Sequence, residues 1–129
     1  MHVKIIDASA LGALVFGEPQ AAEIARVLTE TPIVAPALLW FELASICLKK
    51  IKAHPQRTDQ ILNAFTLSHR LPIEIIAIEH SEVIGLAGDT GLSTYDASYL
   101  WLVDSLGGEL VTLDRKMLEI AARLKNARL

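Results

Sequence analysis

Four short runs rich in β-branched and other apolar residues, at 3–6, 33–35, 73–76 and 109–112, limit what this chain can become. Each is too short for a helix and suits a strand. Between them lie longer stretches with helical patterning. Strands that alternate with helices call for a parallel sheet, because parallel neighbours need long crossovers. The expected helices cover residues 8–16, 18–30, 37–53, 56–70, 79–87, 94–106 and 115–125. Pro19 suits the first turn of the second. Ile61, Leu62, Phe65 and Leu67 are the expected buried side of the fourth. Gly85, Gly88 and Gly91 are expected to loosen the end of the fifth. Gly107-Gly108 ends the sixth.

The chain has 129 residues, which suits one domain over 1–129, without linker or repeat. Hydrophobic residues reach 52%, and mean hydropathy is +0.39. Such an apolar composition calls for a partner chain to cover part of the surface. No run approaches the roughly 20 apolar residues of a membrane span, and Asp7 interrupts any signal-peptide pattern. The lone Cys47 cannot form an internal disulfide and is expected in the core, which fits a reducing cytoplasm. A net charge of −3 argues against a general nucleic-acid binder. It leaves a metal nuclease open, because bound cations reverse the local sign.

Four carboxylates stand out. Asp7 and Asp114 each follow a strand and precede a helix, where open α/β sheets place ligands. Each could equally act as a helix N-cap. Glu42 and Asp96 sit in apolar helical stretches with no cation three or four residues away. Asp96 also stands in a first helical turn, where the dipole favours an acid. If the four converge, each pair about 5 Å apart repels by roughly 3 kcal/mol at an effective dielectric near 20. Several such pairs strain a fold whose total stability is about 5–15 kcal/mol. A divalent cation removes the conflict, and an all-oxygen ligand set favours Mg²⁺ or Mn²⁺ over zinc. His2, His54, His69 and His80 show no ligand spacing.

These residues carry a resemblance. Ile5-Ile6-Asp7-Ala8-Ser9, Pro36-Ala37-Leu38 leading to Glu42, Leu92 to Leu100 around Asp96, and Val111 to Lys116 around Asp114 resemble PIN-domain ribonucleases. The likeness is to the VapC-type toxins of toxin–antitoxin pairs. It runs over nearly the whole chain and keeps the order of the motifs, whereas residues 54–91 carry little of it. It implies a PIN-like three-layer α/β/α sandwich with a short central parallel sheet of four or five strands. It implies an endoribonuclease that uses Mg²⁺ or Mn²⁺, with Asp7, Glu42, Asp96 and Asp114 as catalytic and metal-binding residues. It also implies a homodimer and an antitoxin that covers the acidic site.

Ser9, Thr94 and Thr112 are candidates to orient carboxylates or water. Arg115 and Lys116 are candidates to hold phosphates, with Lys49, Lys50 and Lys52 extending that path. Trp40, Phe41 and Trp101 are expected as core or interface anchors. A phosphoacceptor domain would want an adjacent acidic pair after the first strand, but residue 8 is Ala. No Gly-rich fingerprint of a dinucleotide site follows that strand. A non-catalytic PIN-like binding module is the remaining rival, although such a module should have lost acids and all four stand here.

Overall fold

The computed structural model describes residues 2–127. Strands β1 (Lys4–Ile6), β2 (Ile33–Ala35), β3 (Ile73–Ile75) and β4 (Glu109–Val111) form one parallel sheet in the order β3-β2-β1-β4. Helices α1 (Ala8–Val15), α2 (Ala21–Leu28), α3 (Leu38–Ala53) and α4 (Thr58–Ser68) pack among themselves. Helices α5 (His80–Thr90), α6 (Thr94–Leu106) and α7 (Arg115–Ala127) form the other group, with α6 against β1 and β4. The result is the expected three-layer sandwich.

The chain moves from β1 through β2 to β3, then crosses back to add β4 on the far side of β1. Right-handed crossovers in opposite directions put their helices on opposite faces. The order therefore reverses between β1 and β4, and the crevice beyond their carboxyl ends is the natural ligand position. Ile5 and Ile6 are both fully buried, since helices cover both faces of this central strand. Leu11, Leu39, Leu43, Tyr99, Leu100 and Leu102 complete the core around them. Edge strand β3 is wetter, with Glu74 and Ile75 exposed.

Several expectations need correction. Helix α2 begins at Ala21, after Pro19 has occupied a turn closed by the Ala21 N–H on the Glu18 carbonyl at 2.9 Å, and the Glu18 side chain pairs with Lys50 of α3. The first turn after His54 is a 3-10 turn, Pro55–Arg57. In α4 the buried face runs through Ile61, Phe65 and Ser68, which follow helical spacing, and Leu62 and Leu67 are exposed. Helix α5 continues through Gly85 and Gly88 to the left-handed Gly91, because Val83 and Ala87 pack against Ala97 of α6. Packing there outweighs the low helix propensity of glycine. Phe41 is no core residue at 81% exposure. Trp40 packs on the core and stacks on the His69 ring at 4.2 Å, and Cys47 is buried as expected. Among the described residues no helix is long and apolar enough to cross a membrane.

Gly107 and Gly108 do different things. Gly107 takes a left-handed φ of 65° at the end of α6. Gly108 lies so close to β1 that a Cβ there would stand 2.7 Å from the Val3 carbonyl oxygen and overlap Ile5. Gly108→Ala is expected to cost about 1–3 kcal/mol by overpacking. Gly85→Ala, on an open helical face, should stabilise by about 0.5–1 kcal/mol. Urea unfolding of the two variants checks the pair, and equal midpoints would refute it.

Candidate active site

The loop after β4 is laced to the start of α1 by side-chain hydroxyls. Asp7 caps α1, with Oδ1 accepting the Ala10 N–H at 3.0 Å. The Ser9 hydroxyl donates to the same oxygen at 2.7 Å, and the Thr112 hydroxyl donates to Oδ2. Ser9 Oγ accepts the Leu113 N–H at 2.9 Å, and Thr112 Oγ1 accepts the Asp114 N–H at 3.0 Å. Asp114 in turn caps α7 by accepting the Met117 N–H at 3.2 Å. Capping and ligation are therefore not exclusive, because a carboxylate has lone pairs left after one cap bond.

On α6 the cap is Ser93, whose hydroxyl oxygen accepts the Asp96 N–H at 3.1 Å. The Asp96 carboxylate is thus released from capping. Glu42 lies one turn into α3, and its Oε1 accepts the Tyr99 hydroxyl at 2.6 Å. Asp7, Glu42, Asp96 and Asp114 line one cleft of about 350 Å³, together with Ser9, Lys49 and Tyr99. The cleft opens over the carboxyl edge of the sheet, between β1 and β4.

The acids sense one another. Burial pushes the Asp7 carboxyl above the usual range against its hydrogen bonds, and the Asp114 charge adds to the rise. Glu42 is raised by burial and by the charges of Asp96 and Asp7, with the Tyr99 bond opposing. Asp96 is raised by burial and by Asp114 and Asp7, and Lys116 offsets part of it. Burial and the Glu42 carboxylate push the Tyr99 phenol far upward, so it remains a donor.

Among the described residues, no three His, Cys, Asp or Glu side chains already close on one point as a metal site. The donor chemistry nevertheless fits a hard cation: the four carboxylates around the cleft offer oxygens alone, and Asp7, Glu42 and Asp96 are each raised by the charge of another of them. Mg²⁺ commonly uses one or two carboxylates and keeps several waters, so wide carboxylate spacing is compatible with it.

The PIN domain family matches residues 4–123. The chain belongs to the PIN domain family. This PIN domain is 28% identical over 120 residues to Ribonuclease VapC3 of Pyrobaculum aerophilum, covering 89% of this chain and 92% of that protein. Its fold matches the crystal structure of PAE2754 from Pyrobaculum aerophilum with a TM-score of 0.75 at 22% identity. That match covers 97% of this chain and 96% of the other.

The PIN domain brings all four expected acids to one cleft, and Ser9 and Thr112 to Asp7. Thr94 is exposed at the start of α6 and does not line the cleft. Arg115 is exposed and also stands outside the lining, while Lys116 acts on Asp96 through its charge. Of the three lysines on α3, Lys49 lines the cleft. Lys50 pairs with Glu18 and lies over the Phe16 ring. Tyr99 was missed by sequence reasoning. Its spacing of three from Asp96 puts both on one helix face, and that was the available signal.

Proposed function

We propose that this PIN domain is an Mg²⁺- or Mn²⁺-dependent endoribonuclease and the toxin of a VapBC-type pair, acting in the cytoplasm. The observation that carries the reading is the meeting of four carboxylates from four separate segments in one cleft at the switch point of the sheet. Membership of the family and the likeness to a protein named as a VapC ribonuclease support it.

Asp7, Glu42, Asp96 and Asp114 would hold the ion, directly or through water. When bound there, a divalent ion supplies an activated water and a counter-charge for the phosphodiester. Ser9 and Thr112 keep the Asp7 carboxylate in one orientation. Lys49 stands two turns from Glu42 on α3, about 10 Å along the helix, where it can neutralise a phosphate next to the one being cut. Phe41 and Tyr95, 81% and 63% exposed, adjoin Glu42 and Asp96 in sequence. They are apolar anchors for the antitoxin that would cover the site. A homodimer would cover other exposed apolar side chains, Ile84 and Leu118 among them.

The test is cleavage of RNA by purified protein in Mg²⁺ or Mn²⁺, against an EDTA control. Metal-dependent cuts are expected, and RNA binding without cleavage would favour the non-catalytic module. Lys49→Ala is expected to raise KM several-fold at constant kcat and to lower the salt slope of binding by about 0.7. Lys50→Ala should leave the slope unchanged.

A further inference from the structure

Glu42 and Asp96 ride on helices of different layers, α3 and α6, whose backbones scarcely approach each other. One hydrogen bond ties the two across the cleft. Tyr99 is 1% exposed, so its ring is locked in the core and its hydroxyl has little freedom. That hydroxyl meets Glu42 Oε1 at 2.6 Å. That bond engages Oε1 and leaves the lone pairs of Oε2 for other partners. On α6 the phenol stands one turn from Asp96, on the same face. Tyr99 therefore sets where Glu42 stands relative to Asp96.

We propose that Tyr99 is a positioning residue that holds one oxygen of Glu42 so that the other faces the divalent ion, an inference resting on the nuclease reading above. A half-buried glutamate without this bond would share its oxygens among several rotamers. Ordering it would then oppose ion uptake. A tyrosine that merely filled the core would affect stability but not affinity for the ion.

Tyr99→Phe keeps the ring and removes only the donor. Calorimetric titration with Mn²⁺ is expected to show affinity lowered about 10- to 100-fold, the usual range for loss of a group that orients a ligand. Far-UV circular dichroism should be unchanged. In a Glu42→Gln background the same substitution should change Mn²⁺ affinity little, because the carboxylate it acts through is gone. Unchanged Mn²⁺ affinity in Tyr99→Phe would overturn this inference alone. So would an equal loss in the Glu42→Gln background. A wild-type protein that takes up no Mn²⁺ would overturn the nuclease reading and this inference with it.

Discussion

Asp7→Asn is expected to lower RNA cleavage by more than about 100-fold and yet to raise the melting temperature of the metal-free protein. Loss of a group that only orients a ligand already costs about 10- to 100-fold, and loss of a ligand should cost more. The fold should tolerate the change for a local reason. Asparagine caps a helix as well as aspartate does, so the Ala10 N–H keeps its acceptor. The Thr112 hydroxyl can turn to accept from the new amide. What disappears is a buried charge raised in energy by burial and by Asp114. In a domain of this size about 1 kcal/mol corresponds to roughly 4 °C. A variant that cuts like wild type would remove Asp7 from the reaction. One that melts several degrees lower would refute the argument from buried charge.

Metal-free protein should lose stability as pH rises above the ordinary carboxyl range near 4 and through the raised values of its buried acids, and Mn²⁺ should cancel most of that loss. The sign follows from the raised carboxyls of Asp7, Glu42 and Asp96. Unfolded, such groups release protons near pH 4. Folded, they hold them to higher pH, so above pH 4 the native state binds more protons than the unfolded one. Stability then falls through the window between the two values. Glu18, Glu23 and Glu109 have the opposite sign, being lowered by Lys50, Arg26 and Lys4. Their contribution is present above pH 4 and lost below it. These are surface pairs, screened by solvent, and they vary little between pH 5 and 7.5. An ion at 100 times its Kd stabilises by about 2.7 kcal/mol. Thermal melts in EDTA at pH 5, 6 and 7.5, repeated with Mn²⁺, give the answer. A metal-free melting temperature that is flat or rising over this range would refute the claim of clustered, frustrated acids.

Much of this was open to reading from residue order. Alternation of short β-branched runs with helical patterns implies crossovers, and crossovers imply a parallel sheet. The unpartnered state of Glu42 and Asp96 within their own helices was visible because helical neighbours are set by spacing alone. The exposure of Leu62 and Leu67 is not legible in the same way. Apolar character alone does not say which stripe of α4 faces inward, and contact with α3 and α1 decides it. The glycines of α5 misled because propensity is a local quantity, whereas the helix is held by its packing on α6.

Sequence by itself determined the element order, the parallel class of the sheet and the identity of the acids, because each rests on periodicity or on chemical type. Tertiary structure alone decided that β4 joins the far side of β1. It thereby brought Thr112 to Asp7 across 105 residues, and Tyr99 to Glu42 across 57. Contacts at such separations depend on where whole helices and strands come to rest, and no local pattern encodes that. The same distinction selects Lys49 over its neighbour Lys50. Two adjacent lysines are chemically equal along the chain, but about 100° of helical rotation sends one to the cleft and the other to Glu18.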